Sequence, residues 1–410
     1  MAMNKDAKKI NMLEIISTIK QHEPMTKSDI GKRTGLTNVT VNNFINALQS
    51  CDLVIEDGID STTGGRNASM YRFNNQFCSF LGLVIRTTEV EFGLLDFELD
   101  VQYARQMDIR LNDMTVEQGL DAIVTFVQEC MAGLGGKHGK IAGLGISVPG
   151  PVNFEKGVIY QLTNISAWRN IPIKAIMEKR LGIPVIVDKD NYCNVSCLYW
   201  LRNDRSGKNI VYLATIDGVG SGVINGGKVY RGQNYIAGEI GHLSIGNSGR
   251  KCQCGNHDCM ELYVSDAALV KAAAATMSKT GDATLRSSIE AGSMTMQDIA
   301  MAAGNGDAAA KEFLFAQTDI FVELLDYVIK AYDPDIIIYD SCWMQNCIEL
   351  FNHIVNEVFN KSVFIRRDTV TIDMNEVDKL FLKGAASLIL CEQFSLESSN
   401  NLLLNIAMMA

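Results

Sequence analysis

Three cysteines crowd into eight residues, Cys252, Cys254 and Cys259, in the pattern C-x-C-x4-C. Thiolates are the ligands a borderline-soft cation such as Zn2+ selects, and three of them with one imidazole make a common tetrahedral set. Two histidines stand close enough in sequence to complete it: His242, upstream of the first cysteine, and His257, inside the loop. Four protein ligands leave no open coordination position, so the spacing predicts one structural Zn2+ per chain. The bland alternative is a few buried thiols beside a surface histidine. Of the eleven cysteines, the others are scattered, Cys193, Cys197 and Cys391 in apolar stretches, which fits free thiols better than disulfides.

A second chemistry-bearing stretch is the glycine loop GVGSG, Gly218 to Gly222. Backbone N–H groups of such a loop can cradle phosphate, but a lone glycine loop is a weak signal, and a tight hairpin between strands is the stronger reading. A third lies near the N-terminus, where Asn38, Thr40, Asn42 and Asn43 fall on the polar side of an apolar-periodic segment. Asparagine can pair bidentately with adenine, worth roughly 1–3 kcal/mol of discrimination. Lys27, Lys32 and Arg33 suit phosphates, which position a protein without specifying sequence.

The elements that must hold these groups can be read from periodicity and punctuation. Ile10, Leu13, Ile16 and Ile19 recur at helical spacing. Thr26 opens a short helix with Asp29 as a weak capping-box partner, and Gly35 ends it. Thr37 caps a third helix whose Val41, Phe44, Ile45 and Leu48 face inward. Helix, glycine turn, helix is the layout that places the second helix in a major groove. Strands around Leu53–Glu56 and Met70–Phe73 then flank a linker that reads as a wing, with Arg66 near its tip suited to a narrow A/T-rich minor groove. A small three-helix bundle used for protein contacts is the competing reading.

Beyond residue 76 three strands with turns between them run from Phe80 to Ile109, followed by a helix over Thr115–Gly133 and the apolar strand in IAGLGISVPGPVN. A second strand-turn-strand set begins at Asn209, and further helices lead to the buried strand in DPDIIIYDS. Two similar halves predict a duplicated α/β fold with a cleft between lobes. The 410 residues exceed what one core usually supports. Hydrophobic residues are 47% and charged residues 20%, ordinary for a globular protein. No apolar run approaches the roughly 18 residues that span a bilayer. The N-terminus has no secretory pattern, so a cytoplasmic chain with no membrane partner is expected. The net charge is −10, yet residues 1–75 hold nine basic and eight acidic residues, leaving 28 and 39 for the rest. An acidic body with a near-neutral head permits DNA contact by a small patch only.

The run GLGISVPGPV, the segment ISAWRNIPI, the loop GVGSGVINGGKVYRG and above all GEIGHLSI…CQCGNHDCMEL resemble the ROK family of repressors, open reading frames and kinases. The resemblance covers nearly the whole chain. It implies an α/β fold in which an N-terminal winged helix-turn-helix (1–75) precedes a duplicated actin-like, ribonuclease-H-like two-lobe domain. Lobe 1 is expected at 76–205, completed by a C-terminal helix at about 380–405, and lobe 2 with the zinc loop at 206–380. It favours His242 over His257 as the fourth ligand.

The resemblance also implies a sugar pocket built from Asp190, Glu239, His242 and Glu261, whose oxygens and ring nitrogen suit a diol. Family kinases carry an Asn immediately before the Asp; here Lys189 stands in that place. Its ammonium would pair with Asp190, meet an anionic group on an acidic or phosphorylated sugar, or point away. Asn164, shortly before Trp168, is a further candidate for the pocket wall, or simply a turn residue. The family's D-x-G-G-T phosphate turn aligns with Val84 to Thr88, where Arg86 and Thr87 replace both glycines, and a late glycine pair reads Asp340-Ser341. A backbone that must approach a phosphate closely seldom carries side chains.

The expectation is therefore a sugar-responsive DNA-binding regulator, a repressor by family habit, without kinase activity and with no catalytic residues. Its expected partners are a palindromic duplex operator with A/T-rich flanks, a sugar or sugar-phosphate effector, and a second copy in a homodimer or dimer of dimers. Two alternatives stand beside it. One is an ATP-dependent sugar kinase with an appended DNA-binding head. The other is a zinc-stabilised DNA-binding protein with no small ligand.

Overall fold

The structure is a computed structural model and describes residues 2–60, 68–136, 139–202, 207–216, 218–246, 248–277, 283–341 and 343–393. Contacts divide the chain into two compact units: Met1–Asn203 with Lys379–Ala410, and Asp204–Asp378.

The first unit begins with three helices, α1 (Ala2–His22), α2 (Lys27–Thr34) and α3 (Asn38–Ser50), and two strands, β2 (Val54–Asp60) and β3 (Ala68–Phe73). Local chemistry sets their bounds. The Thr26 hydroxyl caps α2 by accepting from Asp29 N, and Gly35 closes it in the left-handed region at φ 67°. Thr37 caps α3 by accepting from Thr40 N, and Val41, Phe44, Ile45 and Leu48 are its buried face. The buried stripe of α1 differs from the predicted one. Met12, Ile15, Ile16 and Ile19 are buried, whereas Ile10 is 51% exposed. Both stripes obey helical spacing, and only packing against α2 and β3 selects between them. The sheet also gains an unforeseen two-residue strand, β1 (Met25–Thr26), paired with β3. The wing strands are longer than predicted, and Arg66 lies outside the described residues.

The same unit continues with β4 (Cys78–Ile85), β5 (Glu89–Leu95), β6 (Val101–Asp108), α4 (Val116–Gly133) and β7 (Lys140–Val148). A small meander follows, β8 (Val152–Asn153), β9 (Val158–Leu162) and β10 (Ile165–Ile171), then α5 (Ile173–Leu181), β11 (Val185–Lys189) and α6 (Asp190–Leu201). The main sheet runs β11-β7-β4-β5-β6. The β4–β5 and β5–β6 pairs are antiparallel, while β4–β7 and β7–β11 are parallel.

The second unit repeats this plan. It holds β12 (Ile210–Ala214), β13 (Gly220–Asn225) and β14 (Lys228–Val229), then six helices α7 to α12 between Glu261 and Tyr332. After these come β15 (Ile336–Asp340), α13 (Ile348–Lys361) and β16 (Thr371–Met374). Its sheet runs β14-β13-β12-β15-β16, with the first two pairs antiparallel and the last two parallel. Numbered within each half, both sheets have the strand order 3-2-1-4-5, which is the ribonuclease-H-like arrangement, present twice.

The last described helix, α14 (Leu380–Gln393), returns to the first sheet. A row of three glycines across paired strands, Gly93, Gly82 and Gly145, receives it. A Cβ on Gly82 would stand 2.6 Å from Leu382 O, and one on Gly145 only 1.8 Å from Ala385 O. Helix backbone thus lies directly on sheet backbone, and α14 is buried along nearly its whole length. Among the described residues no helix is long and apolar enough to cross a membrane.

Candidate functional site

In the second unit the hairpin turn between β12 and β13 packs under the segment 238–242. Gly238 sits at φ 82°, and a Cβ there would lie 2.0 Å from Ser221 O. A Cβ on Gly241 would lie 2.2 Å from Val219 O. The glycine loop is therefore a hairpin turn pressed against the E-x-G-H run. Glu261, the first residue of α7, reaches the same turn, since a Cβ on Gly218 would come within 2.8 Å of its Oε2. Glu239, His242 and Glu261 are all half-buried, which leaves each with an open edge.

The ring of His242 has two distinct sides. Its Nδ1 lies 3.7 Å from Cys252 Sγ, and its Nε2 lies 3.8 Å from Glu239 Oε2. Cys254 Sγ and Cys259 Sγ are 3.6 Å apart. The ligand atoms of His242, Cys252, Cys254 and Cys259 all fall within 4.8 Å of one another. A tetrahedral zinc with bonds of about 2.3 Å to sulfur and 2.0–2.1 Å to nitrogen has edges of about 3.6–3.8 Å. The His242–Cys252 and Cys254–Cys259 edges fit that geometry, and the four ligand atoms lie close enough together for this cluster to hold a metal ion, with a donor set that suits Zn2+. Burial and the neighbouring thiols push the Cys259 thiol up to about 12, a cost that a divalent cation reverses by binding thiolate. His257 does not join the set; its carbonyl accepts from Ser244 Oγ and its strand bridge is to Lys251.

Asp258 builds the loop that presents these ligands. It is 2% exposed, at φ 54°, and accepts from Ser248 Oγ, Gly249 N, Arg250 N and Tyr263 OH. These donors, Ser248 first, hold its carboxyl down at about 2. Sequence reading missed it, because four donors converging on one carboxylate leave no pattern along the chain.

The other sugar-pocket candidates belong to the first unit. Asp190 begins α6, directly after the carboxyl end of a parallel strand, and its Oδ1 accepts from Asn191 N at 2.6 Å. Carboxyl ends of parallel strands are where α/β sheets bind ligands. Lys189 is 3% exposed, with its ammonium 5.4 Å from the centre of the Tyr192 ring. Asn164 occupies the β9–β10 hairpin turn at φ 65°, exposed, where asparagine is favoured for backbone reasons alone.

The turn at Val84–Thr88 is filled by side chains. Arg86 donates to Glu89 across it and lies 4.6 Å over the ring of Phe381. In the second unit Asp340, at the end of β15, is buried and accepts from Tyr212 OH at 2.7 Å.

On the head, Asn38, Asn42, Asn43 and Asn46 are exposed along α3, with Thr37 at its start and Thr40 half-buried. Val39 is 71% exposed on the same helix, a residue that sequence reading passed over and whose methyls suit a thymine methyl. Lys27 does not stand free for phosphate: its Nζ donates to Asn42 Oδ1 at 2.7 Å and Asn46 Oδ1 at 3.0 Å. Lys32 pairs with Asp29 at 3.0 Å, and Arg33 meets His22 at 3.1 Å. Both pairs are exposed, so phosphate can compete for the cations at little cost.

A winged helix joined to a twice-repeated ribonuclease-H-like sheet, with a three-cysteine, one-histidine cluster beside an E-x-G-H run, defines a sugar-kinase-like architecture with an added head. This chain belongs to the ROK family, whose model matches residues 80–390. It is 29% identical over 263 residues to a putative xylose repressor of Caldicellulosiruptor sp. strain Rt8B.4, spanning 64% of this chain and 65% of that one. That match stops just short of two thirds of the relative's length. A xylose repressor of Caldicellulosiruptor bescii is 23% identical over 390 residues, 95% of this chain and 97% of its own. A solved ROK family transcriptional regulator, a homologue of the Escherichia coli Mlc protein, superposes with a TM-score of 0.81 at 21% identity, covering 99% of this chain and 100% of that one. The chain is also similar to a Streptomyces coelicolor glucokinase over 47% of its length.

Proposed function

We propose that this protein is a sugar-responsive transcription regulator, a repressor that binds duplex DNA through α3 and its wing and senses a sugar through the ROK body. The observation that carries the reading is the outward row of asparagines on a capped helix-turn-helix, joined to a body that keeps Asp190, Glu239, His242 and Glu261. Carboxylates and an imidazole are acceptors for sugar hydroxyls. In this reading His242 serves twice, with Nδ1 toward a structural Zn2+ and Nε2 on the side of Glu239. Lys189 favours an acidic or phosphorylated sugar, and Asn164 is a further candidate sugar-binding residue.

Kinase turnover is not part of this function. Phosphoryl transfer depends on backbone donors cradling phosphates, and the turn that would supply them is filled by the Arg86–Glu89 pair over Phe381. The kinase reading keeps one supporting observation, Asp190 at its strand end, and predicts ATP-dependent phosphorylation of a hexose. The expected assembly is a dimer, or a dimer of dimers, on a palindromic site with A/T-rich flanks.

The test pairs duplex selection with a panel of sugars and sugar phosphates. The expected result is enrichment of a palindrome and a change in its affinity with one class of sugar, absent in Glu239→Ala. By linkage, the duplex changes sugar affinity by the same factor. If no sugar alters either melting temperature or duplex affinity, sugar sensing is refuted; hexose phosphorylation abolished by Asp190→Asn would establish the kinase instead.

A further inference from the structure

We propose that Lys27 is a positioning residue for base readout, fixing Asn42 and Asn46 so that their amide donors face the duplex; this rests on the DNA-binding function proposed above. Lys27 opens α2, while Asn42 and Asn46 sit one turn apart on the exposed face of α3. The ammonium donates to both amide oxygens, at 2.7 and 3.0 Å. Its remaining positive edge lies 5.2 Å from the centre of the Tyr71 ring. Tyr71 is on wing strand β3, 5% exposed, and its hydroxyl donates to Glu56 on β2 at 3.3 Å. An ammonium has three donors and no acceptor. Two of them are spent on amide oxygens and the third side faces an aromatic ring, so no donor is left for phosphate.

The consequence is a choice of amide orientation. A solvent-exposed asparagine can present either its oxygen or its NH2 to a base edge. An ammonium tolerates only oxygen, so it turns both NH2 groups away from itself. Asn42 and Asn46 then offer donors, and donors match the major-groove acceptors of guanine (N7, O6), adenine (N7) or thymine (O4). Side chains at i and i+4 stand about 5–6 Å apart, a spacing that spans neighbouring base pairs. The same ammonium ties the wing to the reading helix, since Tyr71 and Glu56 belong to the wing strands. Burial pushes the Lys27 ammonium somewhat down, and the Glu56 carboxylate opposes that shift.

The experiment uses the full chain and a duplex selected from a random pool. Base preference at every position, and the slope of log affinity against log salt, are measured for wild type and Lys27→Met. The expected result is a loss of discrimination of at least about fivefold at one or two base pairs, with the salt slope unchanged. Asn42→Ala should affect the same base pairs, and the two losses should not add. Uniform weakening across all sequences, with the slope falling by about 0.9, is the mark of a lost phosphate contact and overturns the proposal. Should Lys27→Met fail to fold, Lys27→Gln carries the test, because a neutral amide offers an acceptor as well as donors and no longer forces both asparagine oxygens inward. An unchanged base preference in that variant overturns the proposal. A wild-type chain that enriches no duplex refutes DNA binding itself, and does so without reference to any variant.

Discussion

Gly241→Ala isolates the link between backbone packing and the metal cluster. The added Cβ would lie 2.2 Å from Val219 O and 2.8 Å from Val219 Cβ. Ordinary contact of a Cβ begins at 3.4 Å, so the segment must retreat by about 1 Å, and overpacking of this kind costs about 1–3 kcal/mol. His242 is the next residue, and its Nδ1 stands 3.7 Å from Cys252 Sγ. Metal–ligand distances tolerate only about 0.2 Å, far less than the required retreat. The variant should therefore lose metal affinity by about 10–100-fold, as changes to the supporting shell of a site do. The assay is zinc content by mass spectrometry after dialysis against a graded chelator, with a denaturant melt in parallel. Gly133→Ala serves as the control, because nothing lies within 4 Å of a Cβ there and the residue ends α4. If Gly241→Ala retains wild-type zinc affinity and stability, the coupling of this glycine to the cluster is refuted.

Three further outcomes are expected. Asp258→Asn removes an acceptor whose folded-state acidity, about 2, lies below its ordinary value of 3.8. A depressed carboxylate contributes stability that is complete above the unfolded value and lost as pH falls through the folded one. Wild type should thus outlast the variant at neutral pH, and their denaturant midpoints should converge between about pH 4 and pH 2. Phe97 is 2% exposed and packs against Phe73, Phe77 and Phe80 with ring centres 6.0, 6.4 and 5.3 Å away. Since Phe73 ends wing strand β3 and Phe80 lies in β4 of the main sheet, Phe97→Ala should cost about 3–5 kcal/mol and split head from body in a calorimetric scan; a single unshifted transition would refute that anchor. Arg86→Ala should cost about 1 kcal/mol, the sum of a partly buried ion pair and a ring contact, read as a denaturant midpoint shift. It should not yield ATP-dependent sugar phosphorylation in a coupled assay.

Much of this protein was legible along the chain where the governing interactions are local. Thr26, Thr37 and Thr115 mark helix starts because a cap reaches only three residues ahead, to Asp29, Thr40 and Gln118. The inward face of α3 follows from 3.6-residue periodicity, and the candidate metal ligands from the types and spacing of Cys252, Cys254 and Cys259. The replacement of glycines by Arg86 and Thr87 is visible in one short turn.

Tertiary structure decided what depends on neighbours distant in sequence. It chose Met12, Ile15, Ile16 and Ile19 as the buried stripe of α1, and brought His242 rather than His257 to the thiols. Gly82, Gly93 and Gly145 are unremarkable in strands until α14 lies on them, and Gly241 is unremarkable until Val219 O arrives. Lys27 reads as a phosphate contact until the fold sets it 15 residues away on Asn42. Residue type and spacing fix which chemistry a side chain can perform; the partner it performs it on is set by long-range packing, which no local pattern records.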